Sequence, residues 1–218
     1  MSSPQIAVVR NEVHSEYEYH CDALSGNFPD AREVDFPAGE RPDLDRAAGL
    51  VLTGSTAGVY ERTDRPWIDE QRRLLAEAVE RGIPTLGVCF GHQLANHALG
   101  GAVESVGTTA RLVEVEFADD PLFEGVSPVV PAVHGDAVTS VGDGMEIIAS
   151  ADYYRAFGTR HRDAPLWTVQ FHPEFTPGLR GRLEDDFGWE ESDLRFEDVN
   201  AARVFENFLS IVEASADE

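Results

Sequence analysis

Three short stretches carry side chains that could do chemistry together. The first is "TLGVCFGHQ" (85–93), where Cys89 stands two residues after Gly87 and two before Gly91. A glycine on each side suits a sharp turn from strand to helix, as in the G-x-S-x-G nucleophile elbow with cysteine in place of serine. Such a turn lifts the sulfur to the carboxyl edge of a sheet, where ligands bind in α/β folds. The helix that follows sets its positive end beneath the sulfur and favours negative charge there. The Phe90 amide would point to where an oxyanion forms. Taken alone, the pattern equally describes a buried cysteine at a glycine-rich strand end.

The second stretch is "WTVQFHPEF" (167–175). A cysteine nucleophile needs a base, and the base needs a group to orient it. Read as a strand, the segment puts His172 and Glu174 on one side, because residues two apart on a strand share a face. Glu174 can then reach the ring nitrogen that His172 turns away from the thiol. The third stretch, "LTGSTAG" (52–58), follows an apolar run and offers an amide at Gly54 or Ser55 as a second oxyanion donor. A plain turn is the competing description.

The elements that must hold these pieces are legible from pattern. "QIAVV" (5–9), "REVDF" (32–36), "AGLVL" (48–52) and "IPTLGV" (83–88) read as strands. "SEYEYHCDALSG" (15–26) reads as a helix with a Ser15–Glu18 capping box and Gly26 at its end. "PWIDEQRRLLAEAVERG" (66–82) is an amphipathic helix, with Pro66 early, Gly82 just past its end, and Ile68, Leu75 and Val79 on one side. Phe90 to Leu99 is another helix, and "NAARVFENFLSIVEA" (200–214) is a closing one. Strands alternating with helices imply a mostly parallel sheet covered on both faces. Further on, "RLVEVEF" (111–117) alternates as a half-exposed strand does, and "MEIIAS", "YYRAFG" and "PLWTVQF" follow with short turns. The expected fold is therefore α/β, a mostly parallel sheet flanked by helices with an added antiparallel portion. No repeat or linker marks a second domain, so residues 1–218 are expected to form one. "LEDDFGWEESDLRFED" (183–198) holds eight acidic residues and one arginine and reads as a solvated surface excursion.

Composition narrows the function classes. There are 40 acidic residues against 17 basic, a net charge of −23, and every basic residue is arginine. Such a surface repels phosphate backbones, so nucleic acid is not an expected partner. Its self-repulsion is screened at molar salt, where the Debye length is about 3 Å, which points to a halophilic cytoplasm. No apolar run approaches the roughly 20 residues of a membrane span, and "MSSPQIAVVR" lacks a signal-type core, so a soluble cytoplasmic protein is expected. Nothing in the placement of Cys21 and Cys89 suggests a disulfide scaffold. His92 and His97, five apart, do not share a helix face, and no lysine exists to build a phosphate loop, so no metal, ATP or other cofactor is expected.

The three pieces, in this order, resemble the class I, triad-type glutamine amidotransferases: "VLTGSTAGVY" the oxyanion-loop segment, "GVCFGHQ" the elbow and "VQFHPE" the histidine–glutamate segment. The closing "VFENFL" helix also suits that family. The resemblance implies a flavodoxin-like fold and hydrolysis of the glutamine side-chain amide through a cysteinyl thioester. Cys89 would be the nucleophile, His172 the acid and base, and Glu174 its orienter. Phe90 with Gly54 or Ser55 would hold the oxyanion. By the same resemblance Gln93 lies near the substrate, and Gly135 and Asp136 of "AVHGDAV" contact its amino-acid end, with His134 structural. "HGD" and "GVY…PWI" look most like the glutaminase of GMP synthase and its stand-alone relatives, among them γ-glutamyl peptidases. Two positions depart: Gly54-Ser55-Thr56 stands where Gly-Gly-Pro is usual, and His92 where methionine is usual. The substrate expected is glutamine or a γ-glutamyl compound. An ammonia-producing subunit docked on a synthase, a self-sufficient γ-glutamyl hydrolase and a non-catalytic regulatory module all remain open; the intact Cys–His–Glu set argues against the last.

Overall fold

The computed structural model describes residues 5–216. Among these, eight strands form one sheet. Five are parallel: β1 (Gln5–Arg10), β2 (Arg32–Asp35), β3 (Ala47–Leu52), β4 (Thr85–Val88) and β10 (Leu166–Val169). Three more, β6 (Glu116–Phe117), β8 (Met145–Ala151) and β9 (Tyr154–His161), continue the sheet antiparallel. The order across it is β2-β1-β3-β4-β10-β9-β8-β6. Both halves of the expected sheet are present, but β10, from the "PLWTVQF" stretch grouped with the antiparallel portion, runs parallel to β4 and only its other edge is antiparallel, to β9.

The parallel strands inside the edge strand β2 read as mainly apolar runs because successive side chains enter two different cores. Val8 and Val51 point to one face, against Leu24 of α1 (Tyr19–Ser25) and Phe205, Phe208 and Val212 of α5 (Arg203–Ala216). Val9 and Leu52, one residue on, point to the other, against Ile68 and Leu75 of α2 (Trp67–Glu80) and Phe90 and Leu94 of α3 (Phe90–Ala98). Each such side chain, fully buried, is worth about 1.5–3 kcal/mol.

Four expectations need correction. The 15–26 segment splits into a single 3-10 turn, Ser15–Tyr17, and α1. No side chain caps either piece, so the Ser15–Glu18 box does not form. The 111–117 stretch is not one strand. It is the end of β5 (Ala102–Glu114), which pairs only with β7 (Val129–Ser140) in a separate antiparallel ribbon, and then β6, which enters the main sheet. Leu112 and Val113 are both buried, which breaks the alternation, and Val115 is buried at the switch between the two sheets. The strand read through 175 ends at Val169. Finally, the acidic excursion is not simply solvated. It contains α4 (Arg180–Phe187), and its Leu183 and Trp189 are buried with Phe175, Leu112 and Val133 in a core of their own. The acidic residues outnumbered this apolar underside in the sequence pattern.

Candidate active site

β4 delivers Cys89 to the carboxyl edge of the parallel strands, and the turn is as tight as the glycines require. A Cβ on Gly87 would lie 2.6 Å from the Gly91 carbonyl oxygen, and one on Gly91 would lie 2.6 Å from that of Leu52. Cys89 has φ 52° and ψ −103°, the only positive φ outside glycine among the described residues. Such a conformation costs on the order of 1–3 kcal/mol and persists where its surroundings over-determine it. Here the Cys89 amide donates to Val169 O at 2.9 Å, and its carbonyl accepts from Gln93 N at 3.1 Å, opening α3. Phe90 is the first residue of α3, its ring fully buried against Trp67.

His172 and Glu174 meet beyond the end of β10. The His172 amide donates to Pro131 O of β7 at 2.9 Å, and the chain turns with Phe175 N donating to His172 O at 3.2 Å. His172 Nδ1 comes 2.7 Å from Glu174 Oε1, and both residues are buried. His172 Nε2 lies 3.1 Å from the Val133 carbonyl oxygen, toward which the Cys89 thiol also points at 3.7 Å. Facing a carboxylate on one side and a carbonyl on the other, both ring nitrogens are placed to donate. Burial opposes charge on this ring, but the carboxylate of Glu174 and the sulfur of Cys89 outweigh it and hold the His172 pKa well above its ordinary value. The arrangement suits an imidazolium that can hand a proton to a leaving group.

The other expected residues gather around a cleft of about 300 Å³ that opens onto Cys89, at the small end of ligand-site sizes. Ser55, Gln93, Gly135 and Asp136 line it. Gly54 sits just behind: a Cβ there would stand 3.2 Å from His172 Cε1 and 3.5 Å from Cys89 Cβ. The Gln93 side-chain nitrogen donates to Asp136 O and to Gln170 Oε1, each at 3.2 Å. Gly135 faces open space. His134 lines the cleft too, its ring stacked on Tyr153; burial drops its pKa to about 4. His92 lies outside it, between Thr168 Oγ1 (2.7 Å) and Tyr154 OH (3.1 Å), with its pKa lowered by burial to about 3.

Several lining residues have no role assigned from the sequence. Tyr60, half exposed, donates to Asp136 Oδ1 at 3.2 Å, and Glu61 stands beside it, so the rim presents two carboxylates. Phe187, from the acidic excursion, and Phe175, stacked on the His172 ring at 4.2 Å, form an apolar wall. His20 enters from α1 and is bound to Glu12. The available signal was position: Glu12 follows a parallel strand at the carboxyl edge.

Comparison with known proteins adds the lineage. The family described as Glutamine amidotransferase class-I matches residues 14–187. Over 131 residues the chain is 37% identical to a glutamine-hydrolysing GMP synthase of Lactobacillus delbrueckii subsp. bulgaricus, a match covering 58% of this chain and 24% of that protein. A GMP synthase of Thermosipho africanus is 30% identical over 169 residues, 72% of this chain and 32% of the relative. The matches thus span about a quarter to a third of these relatives. Among solved structures, a Thermoplasma acidophilum protein assigned as a GMP synthase subunit superposes with TM-score 0.74 at 21% identity, over 100% of this chain and 98% of the other. A Thermotoga maritima glutamine amidotransferase gives 0.72 at 19% identity, over 97% and 99%. Both have the fold described above.

Proposed function

The chain belongs to the class I glutamine amidotransferases, and from that premise we propose that it hydrolyses the side-chain amide of glutamine through a cysteinyl thioester, releasing glutamate and ammonia. The observation that carries this reading is the convergence of Cys89 Sγ and His172 Nε2 on one carbonyl oxygen, with Glu174 against the far nitrogen of the ring. The Cys89 thiolate attacks the amide carbon, forming the C–S bond and an oxyanion. The Phe90 amide, at the start of α3, and an amide of the Gly54–Ser55 segment stabilise that oxyanion. Collapse breaks the C–N bond as His172 gives its Nε2 proton to the departing ammonia. Water then attacks the thioester and passes a proton to His172, and glutamate leaves with the sulfur restored as thiolate. Asp136 and Glu61 at the rim suit the α-ammonium group of the amino acid.

The ammonia is proposed to pass to a synthase of the GMP-synthase type, for which this chain is a single glutaminase domain. The likeness to the GMP synthases of the Lactobacillus and Thermosipho species supports that reading. A self-sufficient γ-glutamyl hydrolase is the second reading, which the same meeting of Cys89, His172 and Glu174 would serve equally.

The test is glutamate release by the isolated chain in molar KCl, from glutamine and from a short γ-glutamyl peptide side by side. Slow turnover confined to glutamine supports the synthase-dependent glutaminase. Fast peptide turnover with poor glutamine supports the second reading.

A further inference from the structure

A second histidine–glutamate pair stands beside the first, and the proposed mechanism does not use it. Glu12 follows β1 and is buried, yet it is ionised: burial pushes its pKa up, but hydrogen bonds with His20 and Thr56 bring it down to about 2. Five groups converge on this one carboxylate. His20 Nε2 lies 2.9 Å from Oε2, and the Thr56 amide donates to Oε2 at 3.0 Å. The Thr56 hydroxyl donates to Oε1 at 2.5 Å, and the Val13 and His14 amides donate to Oε1 at 2.8 and 3.0 Å. Few surface carboxylates find so complete a set of donors; this one is built in.

The pair reaches the reacting groups through the loop after β3. Thr56 closes the Gly54-Ser55-Thr56 segment, so Glu12 ties down the far end of that segment. His20 lies on its near side. A Cβ added to Gly54 would stand 3.4 Å from His20 Cε1, 3.2 Å from His172 Cε1 and 3.5 Å from Cys89 Cβ. The two histidine rings are edge to face with centroids 6.2 Å apart. The titratable groups around His20 are Glu12, Cys21, Tyr19, His172 and Cys89. Gly54 is therefore wedged between two imidazoles and the thiol, and one of those imidazoles is fixed by the carboxylate that also holds Thr56.

We propose that Glu12 and His20 are positioning residues: together they set the 54–56 backbone at the distance from Cys89 that oxyanion binding needs. Thr56 is the residue by which this loop is held. The hydroxyl and amide of Thr56 give Glu12 something to grip. The proposal rests on the glutaminase reading for its effect on rate, though not for its effect on the loop.

The test joins two readouts on the full chain, with Glu12→Gln, His20→Phe, Thr56→Ala and His20→Gln. Amide hydrogen exchange of residues 54–56 is expected to quicken about tenfold or more in the first three. His20→Gln keeps a donor for Glu12 and is expected to restore most of the protection. Glutamate release is expected to fall by about 10- to 100-fold in kcat, with KM within about threefold, as for loss of part of an oxyanion site. Alkylation of Cys89 by iodoacetamide passes through no oxyanion and is expected to keep its rate. Unchanged exchange at 54–56 in folded His20→Phe overturns the proposal. So does a loss of alkylation equal to the loss of turnover, because the pair would then act on the thiol. If the parent chain turns over neither substrate, the glutaminase reading fails, while exchange still decides the role of the pair. Thr56→Ala keeps the test open should Glu12→Gln fail to fold.

Discussion

His172 Nδ1 lies 2.7 Å from Glu174 Oε1 although neither residue is in a strand. A turn closed by Phe175 N and anchored on Pro131 brings them together. The second carboxylate oxygen of Glu174 is buried and has no hydrogen-bond partner among the described residues, so the ring is the main attachment of this side chain. Glu174→Gln can present an amide N–H to Nδ1 and favour the wrong tautomer. Its kcat for glutamate release is expected to fall about 10²-fold or more, with little change in melting temperature. Wild-type turnover in a folded Glu174→Gln chain would remove Glu174 from the mechanism.

The reach of the sequence is clear in this case. That Cys89, His172 and Glu174 would be brought together was legible, because the residue types that a nucleophile, a base and its orienter would need are few and stand here in recognisable surroundings. The geometry assigned to the last two was not. A period of two predicts a shared face only while the strand continues, and it stops at Val169. The parallel strands β1, β3 and β4 were legible as apolar runs, since both faces of the sheet are covered there. Glu12 and His20 were missed because, beyond Glu12's place after a strand, their meaning depends on Thr56, 44 residues from Glu12, and no local pattern encodes that pairing.

Cys89 supplies a second prediction. Its φ of 52° and ψ of −103° strain any side chain. Cys89→Ala and Cys89→Gly should both abolish glutamate release. The glycine variant is expected to be the more stable of the two by about 1 kcal/mol, contrary to the usual ordering of glycine and alanine, as measured by urea unfolding. An alanine variant that is the more stable would show that the turn is relaxed.

Gly87 and Gly91 carry a third. An added methyl at either would meet a backbone oxygen at 2.6 Å, and backbone cannot step aside as a flexible side chain can. Gly87→Ala is expected to destabilise the chain by about 2–3 kcal/mol and to slow alkylation of Cys89 as the elbow opens. Unaltered stability and alkylation would mean the turn is looser than its distances imply.

Glu12 sets a fourth, in pH. Its folded pKa, about 2, is below the ordinary 4.5, so its contribution is present in full above pH 4.5 and is lost as pH falls toward 2. At about 1.4 kcal/mol per pH unit that fall amounts to about 3 kcal/mol. His20 has the opposite sign. Burial lowers its pKa, yet hydrogen bonds with Cys21 and Glu12 raise it to about 10. Its contribution is present below pH 6.5 and is lost as pH climbs toward 10. Stability measured against pH should therefore lose its slope between about pH 4.5 and 2 in Glu12→Gln, relative to the parent. Identical slopes would contradict an ionised Glu12.

Salt gives the fifth. With a net charge of −23, the melting temperature is expected to rise by several degrees between about 0.1 M and about 1 M KCl, as the Debye length shortens from about 10 Å to about 3 Å. A flat dependence would separate the acidic composition from salt adaptation.

The Phe175 ring lies parallel to the His172 imidazole, 2° from coplanar in orientation and 4.2 Å between centroids. Its surroundings belong to Leu183 and Trp189 of the acidic excursion. The excursion thus has two faces that answer to different pressures. Its outward carboxylates face solvent and can be exchanged for one another or drift with the salinity of the surroundings. Its inward side chains back the Phe175 ring that lies against the His172 imidazole, and they cannot drift. A library randomised across 183–198 should come out sharply two-tiered, with free variation at the acidic positions and near-fixity at Leu183, Phe187 and Trp189.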